Sequence, residues 1–216
     1  MNNTENTAPR QPVTVTKTQA HFGSLKWLAK ALSKDETRYQ LKFIHCEVDD
    51  DKVILVTTDG RRLHKLETTL AKLPGMASGG YSIKISAREI HLIPEHGEKV
   101  GKFPNWRQVI PDFDSHPKQA EVIRETVEVR KNCATSKATA ILNAANNGVS
   151  ISGDKPPVRQ PILFNDQFLT EALGQGTLFG AKDKTLWRCE TVQHSPLVAT
   201  LDKVDNLQAV IMPMRF

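Results

Sequence analysis

The chain has 216 residues, of which 39% are hydrophobic and 25% are charged, proportions that are ordinary for a soluble globular protein. At roughly 100–200 residues per domain, this length predicts one or two domains, large enough to form a core without disulfides or metals. The net charge of +5 is compatible with a polyanionic partner, although charge bears on association rather than on fold. The three cysteines lie far apart in sequence, which excludes a disulfide framework and a CxxC motif and fits a reducing cytoplasm.

The N-terminal end does not resemble a targeting signal. Residues 1–11 are polar and lack the apolar stretch that a secretory signal needs, so we expect a disordered tail there. No apolar run elsewhere approaches the ~20 residues that span a bilayer, which predicts that the protein has no membrane partner.

A strand and a helix are expected at the start of the folded chain. Residues 13–17 alternate between apolar and polar, which predicts a strand. A helix should follow, because apolar residues recur at helical spacing, and a second stripe of that helix is basic through Lys26, Lys30 and Lys34. Such a stripe is usually only a solvated face, and contact with DNA is the minority interpretation. The apolar face consists of Phe22, Leu25, Leu28, Ala29 and Leu32.

Short strands and turns fill the rest of the first half. Asp59 followed by Gly60 is a strong hairpin signal. The acidic residues 49–51 are interpreted as another turn rather than as a metal site. The strands expected here are residues 41–48, 53–57, 62–67 and 81–85.

A second helix is predicted after the last of these strands. Ser86 and Glu89 have the spacing of a capping box, in which each side chain satisfies a backbone N–H at the start of a helix. That helix would carry Ile90, Leu92 and Ile93.

The second half repeats the pattern of the first. Residues 94–117 are rich in proline and polar residues and predict a junction between two domains. Residues 122–129 fit either a strand or a short helix, and Asn165 is expected to cap a helix that ends before Gly174. Many short strands with few helices predict an α+β fold in two similar halves. The remaining strands are expected at residues 138–143, 149–152, 161–164, 185–192, 197–201 and 208–212, with a turn at 146–148.

No arrangement of residues points to catalysis. The seven histidines are scattered without an HxxxH or HExxH spacing, and Ser195 has no GxSxG context. We therefore predict a non-enzymatic protein without a metal or a cofactor.

Three segments resemble one protein family. Residues 57–63 read TTDGRRL, residues 102–111 read KFPNWRQVIP, and residues 210–216 read VIMPMRF. They resemble the hairpin, the interdomain linker and the C-terminal end of the bacterial DNA polymerase III beta subunit, the sliding clamp, and they occur in the same order. The resemblance runs from about Val13 to Phe216 and implies the middle and last of the three clamp domains, so we expect a form without the first domain.

The resemblance implies a fold and a domain arrangement. It implies two DNA-clamp-like domains, each an antiparallel sheet with few helices and each partly truncated. The expected domains are residues 12–101 and 118–216, joined by a linker at 102–117. Between residue 97 and the linker there is no room for three strands that the family places there.

The resemblance also implies a function as a DNA polymerase processivity factor. In the family, one pocket between these two domains accepts a short apolar peptide of polymerases and of other replication and repair proteins. Arg61 replaces a histidine, Gln108 replaces an arginine and Phe216 replaces a leucine of the family pattern, so we expect an altered peptide preference. The implied pocket residues are Leu41, Thr58, Gly60, Arg61, Arg62, Leu63, Pro104, Gln108, Val109, Leu197, Val210, Ile211, Met212, Pro213 and Met214.

Two assemblies are compatible with the resemblance. A closed ring of six domains would need three copies of this chain and would enclose double-stranded DNA without sequence specificity. A non-encircling monomer would bind peptides only, as an adaptor or competitor. An unrelated DNA-binding protein is a distant third interpretation, because no helix-turn-helix or zinc-finger spacing is found. The residues expected to face DNA are Lys26, Lys30, Lys34, Arg38 and Tyr39.

Overall fold

The computed structural model divides the chain into two compact units. The first comprises Met1–Asn105 with Lys203–Leu207, and the second comprises Trp106–Asp202 with Gln208–Phe216. The structure describes residues 10–96, 101–110, 122–131, 134–143, 162–173, 185–188, 196–201 and 206–213.

The first unit is an antiparallel sheet with one α-helix. Its strands lie in the order β1-β6-β5-β2-β3-β4, and each neighbouring pair is antiparallel. Two turns of 3₁₀ helix, Ala29–Ala31 and Tyr39–Leu41, connect the helix to the sheet. The elements are β1 (Val13–Thr16), α1 (His21–Leu28), β2 (Ile44–Asp49), β3 (Lys52–Thr58), β4 (Arg62–Thr69), β5 (Gly79–Ile85) and β6 (Glu89–Pro94).

The core of the first unit lies between α1 and the sheet. The helix contacts β1, β4 and β6. Leu25 and Leu28 are fully buried and Phe22 is buried, as their helical spacing predicts, whereas Ala29 and Leu32 are only half-buried because the α-helix ends at Leu28. The strand at the start of the chain and the hairpin at Asp59 and Gly60 are confirmed.

The helix predicted after Ser86 is wrong. Residues 86–89 form the turn of a hairpin between β5 and β6, in which the Ser86 N–H donates to the Glu89 carbonyl at 2.8 Å. Ile90, Leu92 and Pro94 are buried and alternate with more exposed residues, which is the period of a strand packed on one face. Pairing with β1 on one side and β5 on the other overrides the local helix signal.

The second unit contains two further groups of strands and one α-helix. β7, β8 and β9 form an antiparallel sheet, and β12, β11 and β10 are neighbours in that order. A 3₁₀ turn at Trp106–Val109 precedes them. The elements are β7 (Val122–Lys131), β8 (Ala134–Asn143), β9 (Ile162–Asn165), α2 (Asp166–Leu173), β10 (Thr185–Arg188), β11 (Leu197–Leu201) and β12 (Asn206–Ile211), of which the first two residues of β12 belong to the first unit.

The structure decides two predictions about the second unit. The ambiguous residues 122–129 belong to a strand, β7. The Asn165 cap is confirmed, because its Oδ1 accepts the Phe168 N–H at 3.1 Å at the start of α2. Of the tail predicted at 1–11, residues 1–9 lie outside the described residues, whereas Arg10 is bonded to the first unit, its Nη2 donating to the Glu95 carbonyl at 2.6 Å. The turn at 146–148, the strand at 149–152 and the helix stop at Gly174 also lie outside the described residues. The α+β class, with antiparallel sheets and few helices, is confirmed.

Candidate functional site

Several side-chain hydrogen bonds close the hairpin of residues 58–63. Thr58 and Leu63 pair at its base. The Thr58 hydroxyl donates to the Arg62 carbonyl at 2.6 Å and accepts the Gly60 N–H at 3.0 Å. Gly60 has a φ of 86°, in the left-handed region that glycine adopts without steric strain. The turn therefore has one defined conformation, which its own side chains stabilise.

Asp59 is the centre of this hairpin. Its Oδ1 accepts the backbone N–H groups of Arg61 at 2.9 Å and Arg62 at 3.1 Å. Its Oδ2 accepts the Nε of Arg62 at 3.0 Å. Hydrogen bonds to an ionised group are stronger than neutral ones, so the Asp59 carboxylate holds both the backbone and the side chain that follow it.

Arg62 points into the first unit rather than toward solvent. Its side chain is only 6% exposed. Besides the bond to Asp59, its Nη2 donates to the Lys30 carbonyl at the end of the helical segment. A carbonyl at a helix end has no partner within the helix, so the guanidinium satisfies it and ties the hairpin to that end. The sequence assigns Arg62 to the rim of a peptide pocket, whereas in the structure its guanidinium lies inside the unit.

Arg38 joins the same hairpin from a second direction. Its Nη1 donates to the Asp59 carbonyl at 3.4 Å, and its Nε lies 3.5 Å from an Asp35 carboxylate oxygen. A Cβ atom placed on Gly60 would lie 2.8 Å from Arg38 Nη1, so the arginine covers the glycine closely. The structure thus brings Arg38, predicted to face DNA, to residues predicted to bind a peptide. No sequence pattern signals this contact, since 21 residues separate the two partners.

The other residues predicted to face DNA lie on the surface. Lys26, Lys30 and Lys34 are exposed, and Tyr39 is 60% exposed with Lys42 Nζ 5.6 Å from its ring centroid. We call residues 26–39 the basic segment. Because its cations are exposed and extend into solvent, it is suited to loose contact with a polyanion.

One carboxylate within the basic segment has an altered acidity. Asp35 accepts hydrogen bonds from the Thr37 hydroxyl at 2.7 Å and from the Thr37 backbone N–H at 2.9 Å. These bonds stabilise the ionised form and lower the pKa of Asp35, with a smaller contribution from the charge of Arg38.

The apolar residues predicted for the pocket differ in exposure. In the first unit, Leu41 and Leu63 are buried, and Pro104 is exposed. In the second unit, Val109 is 40% exposed and Gln108 is exposed. Met214 lies outside the described residues. The buried members of the second unit are Leu197, Val210 and Ile211, and the half-buried members are Met212 and Pro213.

The start of the predicted linker is fixed to the first unit. Phe103 stacks on His45 of β2, with ring centroids 4.6 Å apart and an interplanar angle of 3°. His45 in turn lies 3.0 Å from the Glu47 carboxylate. Sequence reasoning missed this stack, because neither residue belongs to a periodic pattern that would indicate it.

Two further observations concern the chemistry of the described residues. Among them, no group of three His, Cys, Asp or Glu side chains is placed to hold a metal ion. Burial raises the pKa of the Cys46 thiol to about 12, so this thiol is neutral at physiological pH and a poor nucleophile.

None of the helices in the described ranges has the length and apolar character needed to cross a membrane.

Comparison with known proteins gives a likeness in structure only. No protein-family profile matches the chain, and no curated protein matches it. Among solved structures, the Pseudomonas aeruginosa sliding clamp solved with a ligand has a TM-score of 0.56 at 16% identity, with 94% of this chain and 66% of that clamp covered. The Thermotoga maritima DNA polymerase III beta subunit has a TM-score of 0.58 at 13% identity, covering 100% of this chain and 69% of that one. The C. crescentus beta sliding clamp has a TM-score of 0.57 at 17% identity, covering 95% and 65%.

The chain therefore has the fold of a DNA clamp. Within that class, its likeness is to the bacterial DNA polymerase III beta subunit, and the resemblance carried by the three sequence segments is confirmed at the level of the fold. The chain spans about two thirds of the length of these clamps.

Proposed function

We propose that this chain is a non-catalytic, clamp-like processivity factor of the cytoplasm that binds short apolar peptides of DNA polymerases and repair proteins. The observation that carries the proposal is the 58–63 hairpin, whose backbone is fixed by Asp59 and whose base carries Leu63. The clamp fold supports the same function, because the likeness to each of these clamps extends over 94–100% of this chain. No cofactor is needed for a function of this kind.

The proposed binding chemistry follows from the character of these residues. A rigid rim lowers the conformational entropy lost when a peptide binds, because the hairpin is already ordered. In the second unit, Val109 is 40% exposed and supplies apolar surface for a leucine or phenylalanine anchor of the peptide. Met212 is flexible and polarisable, so it can adapt to peptides of different sequence.

Fluorescence anisotropy with a labelled Gln-Leu-Ser-Leu-Phe peptide tests peptide binding. We expect Met212→Ala to weaken binding about tenfold, because truncating an apolar contact at an interface removes on the order of 1–2 kcal/mol. Ile83→Ala is the matched control, since Ile83 is also half-buried but belongs to β5. If neither this peptide nor any other clamp-binding peptide binds detectably, the proposal is refuted.

The basic segment supports a second part of the proposed function. Lys26, Lys30 and Lys34 are exposed, but the helical stripe predicted for them is not continuous, because Lys26 lies in α1, Lys30 in the 3₁₀ turn that follows and Lys34 beyond both. We propose that these three cations contact the phosphates of double-stranded DNA. Phosphate contacts position a protein on the duplex but carry no sequence information. Such binding would be independent of DNA sequence.

An alternative within the same fold is a non-encircling, monomeric adaptor or competitor. One observation favours it over a trimeric ring. β1 lies at the end of the strand order of the first unit, and both polar backbone groups of Thr16 are already bonded: Gln19 Oε1 accepts the N–H at 2.6 Å, and the Gln19 N–H donates to the carbonyl at 3.0 Å. Thr16 is one of the four residues of β1, and its bonded groups leave less of this edge able to pair with another chain.

Solution mass separates the two assemblies. Light scattering across the micromolar concentration range gives the mass of one chain for the adaptor and of three chains for the ring. A monomer at micromolar concentration rules out the ring, and a trimer rules out the adaptor.

A further inference from the structure

The 58–63 hairpin presents positive charge at its tip although it contains an aspartate. The Asp59 carboxylate is used internally, since it accepts two backbone N–H groups and the Nε of Arg62. The negative charge of Asp59 is therefore balanced by the buried guanidinium of Arg62. The solvent-exposed charge at the hairpin is that of Arg38 and Arg61.

Two arginines provide that exposed charge. The Arg61 side chain is exposed and forms no hydrogen bond or ion pair with any residue that the structure describes. The Arg38 side chain is 53% exposed, and its pairing with Asp35 is between two exposed groups. Exposed pairs of this kind contribute little, so a carboxylate of a ligand can compete for Arg38. Both arginines are held by Asp59, Arg61 through its backbone N–H and Arg38 through its Nη1.

Each of these arginines is close in the chain to an apolar residue of the proposed pocket. The Arg38 carbonyl accepts the Leu41 N–H at 3.0 Å within one 3₁₀ turn. Arg61 precedes Leu63 by two residues at the start of β4. Arg38 and Arg61 therefore lie next to Leu41 and Leu63, the apolar pocket residues of the first unit. This proximity favours a role in peptide recognition over a role in DNA contact.

We propose that Arg38 and Arg61 form a basic rim that selects peptides carrying a carboxylate next to their apolar anchors. This inference rests on the proposed peptide function and adds the charge of the preferred partner. An Arg guanidinium binds a carboxylate through two parallel N–H donors, which gives direction as well as attraction. Arg61 is the specificity-determining residue of the pair, because its guanidinium forms no hydrogen bond or ion pair with the residues that the structure describes.

Three labelled peptides test the rim. Each contains Gln-Leu-Ser-Leu-Phe, extended at both ends by aspartate, serine or lysine. We expect the aspartate peptide to bind about fivefold more tightly than the serine peptide, since exposed ion pairs contribute up to ~1 kcal/mol. The lysine peptide should bind more weakly than both. The difference should fade at about 0.5 M salt, where exposed charges are screened.

Charge-removing variants locate the effect. Arg61→Gln should reduce the preference for the aspartate peptide to about twofold, and the double variant with Arg38→Gln should abolish it. Lys84→Gln is the control, because it removes the same charge from an exposed position on β5, which β2 separates from the hairpin strands. Its peptide preference should equal that of the unmodified chain.

Four outcomes would overturn the inference. Equal binding of the three peptides rejects the basic rim and leaves the proposed peptide function intact. A preference that persists in the double variant places the cations elsewhere. Arg61→Gln weakening a random-sequence DNA duplex, with peptide binding unchanged, assigns the rim to nucleic acid instead. Absence of binding by every peptide rejects the proposed function and the inference with it.

Discussion

The 58–63 hairpin and the basic segment lie side by side in the first unit, yet they are held in different ways. The hairpin is closed by a buried ion pair and by backbone groups that Asp59 and Thr58 satisfy. The basic segment keeps its cations exposed, with pairings such as that of Arg38 and Asp35 in contact with solvent. A fixed surface suits recognition that depends on geometry, and an exposed charged surface suits contact that depends on charge alone.

The strongest test of this contrast is Asp59→Ala. The change leaves the Arg62 guanidinium buried without its carboxylate, so the free energy of unfolding should fall by about 3 kcal/mol. Urea denaturation followed by circular dichroism measures it. Asp51→Ala, in the exposed turn between β2 and β3, should change the free energy of unfolding by no more than about 0.5 kcal/mol. Equal effects of the two variants would mean that the hairpin is held no more firmly than an ordinary turn.

The basic segment should show the opposite behaviour. Charge reversal at Lys26 and Lys30 should lower the affinity for a DNA duplex about tenfold and flatten its salt dependence, because fewer counterions are released. Thermal stability should hardly change, since both side chains are exposed. Reversal at Lys72 and Lys84 alters the net charge equally at other exposed positions of the same unit. A matching loss of DNA affinity in that control pair would assign the effect to net charge rather than to the segment.

Gly60→Ala should have a smaller effect on the hairpin. A φ of 86° disfavours any residue with a Cβ, so we expect a loss of about 1 kcal/mol in the free energy of unfolding. The added Cβ would also approach Arg38, but that side chain is flexible and can move. Gly23→Ala within α1 is the control and should be neutral or stabilising. If the loss disappears when Arg38 is also changed to alanine, the close approach rather than the backbone angle is responsible.

The smallest expected effect concerns Asp35 in the basic segment. The Thr37 hydrogen bonds hold its pKa below the ordinary value of 3.8, so folding favours the ionised carboxylate. That contribution to stability is present above pH 3.8 and is lost as the pH falls through the lowered pKa of the folded protein. An NMR titration of the Asp35 carboxyl carbon measures it. Thr37→Val should raise the pKa toward 3.8, and Thr37→Ser should leave it low, because the hydroxyl is kept.

Local signals predicted the turns and caps that one short segment can specify by itself. Asp59 and Gly60 predict their hairpin because a left-handed backbone at that point requires glycine. Asn165 predicts its helix because an Asn side chain can accept an N–H of the first turn, as its Oδ1 does. In both cases residues within four positions of each other supply the bonds that define the turn or the cap.

Ser86 shows where a local signal becomes ambiguous. Its hydroxyl accepts the Glu89 N–H at 2.9 Å, the same bond that a helix cap would make three residues on. Here the bond closes a turn between two strands, because the residues after Glu89 pair with β1 and β5. Those partners are distant in sequence, so the capping pattern alone could not decide between helix and hairpin.

Arg61 and Arg62 show the same limit at the site. The resemblance to clamps assigned both arginines to the pocket, and it did not indicate which of the two would be exposed. The structure exposes Arg61 and buries Arg62 against the carbonyl of Lys30, which lies 32 residues earlier in the chain. A contact over that distance leaves no local pattern, so the division of roles between the two neighbours follows only from the fold.

The bonds that Gln19 makes to Thr16 also bear on how this protein behaves at high concentration. An open strand edge is a template on which other chains can add strands, and this is a common route to aggregation. Gln19 occupies both polar backbone groups of Thr16, so the end of β1 offers that template less backbone. Replacing Gln19 with alanine would leave the Thr16 N–H without its acceptor, so this single change should increase the tendency of the protein to aggregate during expression.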